Sequence, residues 1–320
     1  MDLTWRPLTL DDAQALADVS AAAQVVDPTG EHYSAEDMRE DLEGPSISLS
    51  DASTGLWDGD KLVGYALVRP RPAANPAHMV RIEGLVHPDY RTDEVGSRLI
   101  EWFVEAGNRV HERAFPGASL ELHGHSHESQ RWYRGVLENG GFHAARAFIE
   151  MRADLAALPP ALPLPEGFQF VRFEQKYDEL TRVARNSTFG EHWGSTDLSP
   201  ELWRHLVRGK DFRADLSFLL LSPAGDEVVA FVLSAFFESD AAATGVRDLF
   251  VSYVGTRGSL RGLGVATALL GHTLAEAKSK DFDRSSLSVD LDNVNGALGI
   301  YERCGYTVAA RWAGLVRAIG

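Results

Sequence analysis

Two stretches of this chain combine residue types and spacings that could do chemistry. The first is Arg261-Gly262-Leu263-Gly264-Val265-Ala266. It stands between the apolar run Asp248–Val254 and a segment with Leu263, Ala266, Leu270, Leu274 and Ala277 three or four apart. That pattern reads as a strand, a glycine-rich turn and a helix. Such a turn suits a phosphate, because the first amides of a helix lack partners and its dipole favours a negative guest. Gly262 and Gly264 carry no Cβ to hold the guest away, and Arg261 adds a fixed positive charge. The second stretch is Tyr301-Glu302-Arg303-Cys304-Gly305-Tyr306. A phenol with a pKa of about 10 is protonated at neutral pH and can give its proton to a leaving group.

The glycine turn is not a P-loop, since no Gly-Lys-Ser/Thr follows it, and it lacks the three spaced glycines of a dinucleotide fold. The arrangement Arg-x-x-Gly-x-Gly/Ala after a strand instead resembles the acyl-CoA pyrophosphate loop of the GNAT superfamily of N-acetyltransferases. Downstream, Leu287–Asp290 reads as another strand, followed by Asn293, then a short helix ending in Tyr301-Glu302-Arg303-Cys304-Gly305-Tyr306. This resembles the second signature of the same family, in the right order and one helix and one strand away. The resemblance is strong after residue 216 and weak before residue 80.

The resemblance implies an acetyl-CoA-dependent transfer of an acetyl group to a primary amine by direct attack. It implies that Arg261, Gly262, Leu263, Gly264, Val265 and Ala266 hold the pyrophosphate. Val254 would offer a backbone N–H to the thioester carbonyl, with Gly255 and Thr256 lining the pantetheine exit. Asn293 would hold the cofactor by its amide, or serve only as a turn residue before the next helix. Tyr301 is the family's usual general-acid position, and its other reading is an aromatic packed on the inner face of its helix. Asp248 falls where tandem relatives carry a carboxylate facing the acceptor. Alternation puts it on one face with Phe250, Ser252 and Val254. It could equally be solvated or paired with an arginine, and Glu238, Glu191 or a chain of waters are rival bases. Glu191, His192 and Trp193 lie between two helical patterns, where the family borders its acceptor site. An aromatic beside a carboxylate could bind an ammonium group there, or Trp193 could simply anchor the loop.

The elements that must position these residues occur twice. Residues 156–166 are proline-rich and read as a linker, which predicts domains over 1–155 and 167–320. Each half begins with a short strand carrying an arginine, Arg6 or Arg172, and continues through a helix and a strand pair with a Gly-Asp turn. The expected fold is α/β (α+β): two tandem GNAT-like domains, each with a mixed, mostly antiparallel twisted sheet flanked by helices. At the first copy's cofactor position the chain reads Arg91-Thr92-Asp93-Glu94-Val95-Gly96, with Glu94 in place of Gly264. Two carboxylates at the mouth of a helix would repel a pyrophosphate. Counting back from Gly141 as from Gly305 puts Leu137 where Tyr301 stands. The first copy is therefore expected to be degenerate, and the second to be the catalyst.

Composition limits the alternatives. The 320 residues carry a net charge of −15, which argues against a nucleic-acid partner. No apolar run is long enough to span a membrane, no secretory signal is evident, and the expected location is cytoplasmic. The single cysteine, Cys304, excludes an internal disulfide framework, and packing is its expected role. His123-Gly124-His125-Ser126-His127 alternates so that three imidazoles would share one strand face, but with no accompanying cysteine no metal is expected. The expected partner is a small-molecule amine, and the expected assembly a monomer or homodimer. The rival reading is a catalytically idle acyl-CoA-binding or sensing protein.

Overall fold

Alternating and β-branched runs broken by Gly, Asp and Pro build the strands of this chain, and longer segments with a three-to-four apolar period build its helices. The structure, a computed structural model, describes residues 3–45, 48–190, 195–292 and 298–320. In chain order the first half contains β1 (Leu3–Arg6), α1 (Ala13–Val26), α2 (Ala35–Leu42), α3 (Leu49–Ala52), β2 (Ser53–Asp58), β3 (Lys61–Ala74), β4 (His78–Val86), α4 (Asp93–Ala114), β5 (Leu120–His127), α5 (Arg131–Asn139) and β6 (His143–Asp154). The second half contains β7 (Gln169–Arg172), α6 (Asp178–Phe189), α7 (Pro200–Arg208), β8 (Phe218–Leu221), β9 (Val228–Ala235), α8 (Glu238–Thr244), β10 (Asp248–Thr256), α9 (Val265–Ser279), β11 (Arg284–Asp290), α10 (Leu298–Arg303) and β12 (Thr307–Ile319).

The chain divides into two units, 1–147 with 311–320, and 148–310. In the first unit the strand order is β1-β2-β3-β4-β5 with the end of β12 beside β5. In the second it runs from the end of β6 through β11, β10, β9 and β8 to β7. Among the described residues, pairing within each unit is antiparallel except between β4 and β5 and between β10 and β11, so the sheets are mixed and mostly antiparallel, as expected.

Helices cover both faces of each sheet. In the second unit, Leu269, Leu270 and Leu274 of α9 pack with Leu249 and Val251 on one face. On the other, Ala184 of α6 and Trp203 of α7 pack with Leu219, Phe231 and Leu233. The first unit repeats the plan, with Leu99 and Phe103 of α4 on one face and Leu16 of α1 and Met38 of α2 on the other. Each fully buried side chain of this size contributes about 1.5–3 kcal/mol by leaving water. The proline-rich segment 156–166 lies within the second unit and packs on α9: Ala161 meets the bare face of Gly271, and Lys278 Nζ donates to the Ala156 carbonyl at 3.2 Å.

Candidate active site

The divergence of two parallel strands opens the site. β10 and β11 pair at Asp248↔Arg284, Leu249↔Ser285 and Phe250↔Ser286, and among the described residues the ladder stops there. Beyond that point β10 stays with β9 through Thr256, while β11 stays with β6 through Asp290. The diverging edges carry backbone groups that a narrow, extended ligand could meet. Gly255 is required on this edge by packing, since a Cβ there would come within 2.3 Å of the Phe231 ring.

A β-bulge corrects one expectation. The register between β10 and β9 shifts between Val251 and Tyr253, so Ser252 is the extra residue. Strict alternation would put Val254 on the face of Asp248 and Phe250. The inserted residue instead returns Val254 to the face of Leu249 and Val251, where it packs on the second unit's core. Tyr253 is thereby turned to the α6 side, against Phe189 at a ring separation of 5.3 Å.

At the end of the strand a turn over Gly258–Leu260 leads to the glycines. Gly262 (φ +78°) and Gly264 (φ +77°) both adopt left-handed backbone, which costs other residues about 1–2 kcal/mol each. Gly264 is the N-cap of α9, and no side chain caps the helix. A Cβ on Gly262 would meet nothing within 4 Å, and one on Gly264 only Leu162 Cδ1 at 3.9 Å. The glycines therefore serve the backbone path and leave room over the first amides of α9. Arg261 is exposed beside them, and Thr256 Oγ1 is buried without a hydrogen-bond partner at the strand's end. An uncapped helix mouth, an adjacent guanidinium and an orphaned hydroxyl together fit a pyrophosphate and its pantetheine arm.

Tyr301 lies half-buried on α10, with its ring edge-on to Tyr306 at 6.1 Å. Burial, with Cys304 close by, pushes its phenol up to about 12. Tyr306 looks similar in sequence but is fully engaged: its hydroxyl meets Ser285 Oγ at 2.7 Å, and Ser285 donates to the Leu249 carbonyl at 2.6 Å. Gly305 (φ +90°) ends α10, its N–H bonded to the Glu302 carbonyl and the Tyr306 N–H to that of Tyr301. The closing turn and the Tyr306–Ser285 bond fix the direction of the helix that carries Tyr301.

Asp248 is held by Arg284, the residue directly opposite on β11, with Nε 2.5 Å from Oδ2. Its Oδ1 is buried and has no hydrogen-bond partner. Glu238 is the exposed first residue of α8. Cys304 is buried, with its thiol pushed up to about 11 by that burial, and its Sγ faces the Thr267 carbonyl. Glu191, His192, Trp193 and Asn293 lie outside the described residues.

Sequence reasoning missed Arg185 and Tyr253. The Arg185 guanidinium is buried over the Tyr253 and Phe189 rings, at 5.2 and 5.4 Å, and donates to the Thr196 carbonyl at 2.6 Å. The available signal was its place beside Thr181 and Ala184 on the buried stripe of α6. An arginine there reads as an ordinary surface charge until the bulge at Ser252 turns Tyr253 to meet it.

The first unit has the same strand divergence and a different helix mouth. β4 and β5 pair from His78↔Leu120 to Ile82↔Gly124 and no further among the described residues. The N-cap of α4 is Thr92, whose Oγ1 accepts the Val95 amide at 3.2 Å, and Asp93 and Glu94 fill the first turn. Arg91 is occupied by Asp27 at 2.8 Å and by the Val86 carbonyl. Leu137 is fully buried. The three histidines of β5 have separate surroundings: His123 bonds Glu121, His127 bonds Ser129, and burial pushes His125 down to about 4. Among the described residues no group of three or more His, Cys, Asp or Glu could hold a metal ion. None of the described helices is long and apolar enough to cross a membrane.

Residues 179–306 match the acetyltransferase (GNAT) family. The chain is 29% identical to a mycothiol acetyltransferase of Thermobispora bispora over 263 residues, covering 80% of this chain and 79% of that one. It is 27% identical to the mycothiol acetyltransferase of Salinispora arenicola over 96% of this chain and 92% of that one. Among solved structures, a GCN5-related N-acetyltransferase from Sphaerobacter thermophilus aligns over 99% of this chain and 95% of its own, with 25% identity and a TM-score of 0.77. A tandem GNAT protein from the clavulanic acid biosynthesis pathway shares the fold over 100% and 99% of the two chains, at 15% identity and a TM-score of 0.75. The chain thus resembles tandem, two-domain GNAT N-acetyltransferases, the mycothiol acetyltransferases among them.

Proposed function

Taking the second unit as a GNAT acetyltransferase domain, matched over residues 179–306, we propose that this protein is an acetyl-CoA-dependent N-acetyltransferase acting on a primary amine at one site per chain, in that unit. The observation that carries this reading is the contrast between the two helix mouths. α9 opens on left-handed Gly264 with no side-chain cap, whereas α4 is capped by Thr92 and carries Asp93 and Glu94 in its first turn. An anion is stabilised at the first and repelled at the second.

Bound acetyl-CoA would supply the activated acyl group as a thioester. Arg261 and the first amides of α9 would hold its pyrophosphate. The Val254 amide would donate to the carbonyl oxygen as negative charge grows there. Tyr301 would give its proton to the departing thiolate, a role its high pKa suits because the phenol stays protonated. Asp248, with Oδ2 fixed by Arg284 and Oδ1 unspent, would take the amine's proton directly or through a water. Amine attack on the carbonyl carbon forms the C–N bond, the C–S bond breaks, and amide and free thiol result.

The similarity to mycothiol acetyltransferases makes amine-bearing precursors of mycothiol the first acceptors to try. The test is a panel of primary amines with acetyl-CoA, read by release of free CoA thiol together with mass analysis of the amide. Turnover on any amine supports the enzyme. Saturable binding without thiol release on the whole panel would leave the idle or sensing reading instead.

A further inference from the structure

The proline-rich segment 156–166 walls a pocket on the second unit. Two glycines let it close on two helices. A Cβ on Gly271 of α9 would lie 3.4 Å from Ala161 Cβ, and one on Gly305, just past α10, 3.1 Å from Pro159 Cδ. Between the segment and the helices is a pocket of about 170 Å³, lined by Leu158, Pro159, Leu162, Thr267, Gly271 and Arg303. Pockets that take a whole ligand run to about 300–1,000 Å³, so this one suits one end of a longer molecule.

The pocket adjoins the glycine turn at the mouth of α9. Leu162 belongs to both: it lines the pocket, and its Cδ1 lies 3.9 Å from where a Gly264 Cβ would stand. Thr267 and Gly271 follow Gly264 along α9, about 5 and 10 Å down its axis. The pocket therefore begins beside the helix mouth and runs away from it. Leu162 and Leu263 leave apolar surface in water beside the turn, at 49% and 69% exposed. Arg303 supplies charge from the end of α10. It is exposed, and its Nη1 lies 3.3 Å from where a Gly299 Cβ would stand, a place left open by the glycine. Among the described residues no carboxylate or other acceptor takes its guanidinium, whereas Arg284 and Arg257 are spent on Asp248 and Glu227. A free guanidinium beside an apolar pocket suits an anion tied to a flat, weakly polar group.

We infer that this pocket seats the nucleoside end of the acyl donor, its base against Leu162 and Pro159 and its 3′-phosphate on Arg303. The inference rests on the reading that α9 receives the donor's pyrophosphate, and it deepens that reading by naming the donor class. Free acyl-CoA carries a nucleoside and a 3′-phosphate beyond the pyrophosphate. An acyl group on phosphopantetheine, alone or on a carrier protein, has neither. The protein thus selects free acyl-CoA, and the proline-rich segment is a ligand wall as well as a connection.

The test is calorimetric titration of the full chain with CoA, dephospho-CoA and phosphopantetheine. CoA should bind about tenfold or more tightly than dephospho-CoA, the usual worth of one hydrogen-bonded charge pair. Arg303→Gln should remove that difference by weakening CoA while sparing dephospho-CoA. Arg303→Lys, which keeps the charge, should restore part of it. Leu162→Ser, at an exposed position, should weaken CoA and dephospho-CoA alike and leave phosphopantetheine unchanged. Equal affinity for CoA and dephospho-CoA, or an Arg303→Gln variant that weakens both alike, would overturn the inference and leave the pyrophosphate site standing. Binding of none of the three would overturn both.

Discussion

Arg284 stands directly opposite Asp248 across the parallel pair of β10 and β11, and holds one oxygen of its carboxylate while the other has no partner. The arginine fixes the direction of a side chain that strand geometry alone would leave to rotate. Asp248→Asn should therefore lower turnover by about a hundredfold, within the usual range for an acid–base group, with acetyl-CoA affinity unchanged. Arg284→Gln should lower turnover less and stability more, by about 1–3 kcal/mol, because it leaves a largely buried carboxylate alone. Steady-state kinetics and urea unfolding of both variants and the double variant check this. Unchanged turnover in Asp248→Asn would return the proton to solvent water.

Tyr301→Phe should keep acetyl-CoA affinity and lower kcat by about 10–100-fold. Its raised pKa has a definite consequence for the pH profile. An acid whose pKa lies near 12 keeps its proton through neutral and mildly alkaline pH, so no descending limb in the rate should arise from it until pH approaches about 12. A kcat–pH profile of the wild type beside Tyr301→Phe reads this directly. A limb near pH 9 that disappears in the variant would contradict it.

Titration with acetyl-CoA should give one site per chain. Gly264→Glu should abolish binding, and Glu94→Gln should leave the stoichiometry at one, because Thr92 still caps α4. Gly264→Ala separates backbone from charge: there is space for its Cβ, so the expected loss is the left-handed strain of about 1–2 kcal/mol. Calorimetry that returned two equal sites would remove the distinction between the units.

Acid should destabilise the first unit in two steps. His125 is pushed down to about 4 by burial. The unfolded chain therefore takes up that proton first, and stability is lost as pH falls from about 6.5 towards 4. Glu83, held at about 2 by Arg81 and Arg69 against the opposing effect of burial, contributes stability that is present above its unfolded pKa and lost as pH falls from about 4.5 towards 2. Urea midpoints across this range check both, and His125→Gln should flatten the upper step.

Cys304 should resist alkylation in the folded protein. Its thiol is buried and pushed up to about 11, so the reactive thiolate is scarce at neutral pH. Iodoacetamide labelling should appear only with denaturant. Rapid labelling of the native chain would show that α10 opens.

Much was legible in the chain before its coordinates. The glycine turn before α9, the short helix carrying Tyr301, the acids at the start of α4 and the mixed, mostly antiparallel sheets are local patterns, and local patterns are written in residue spacing. The alternation that grouped Val254 with Asp248 failed because a one-residue bulge at Ser252 leaves no mark in composition. Arg185 escaped notice because a buried arginine and a surface one look the same in sequence.

By itself, the sequence determined which helix opens on glycines and which on a threonine with two acids, since residue types at a helix mouth are read directly. Only the tertiary structure decided which groups meet across strands: Asp248 with Arg284, Tyr306 with Ser285, and Glu83 between two arginines. It also decided that residues 311–320 belong with the first unit and the proline-rich segment with the second. These contacts join residues far apart in the chain, and register, bulges and packing set them, none of which a short window of sequence contains.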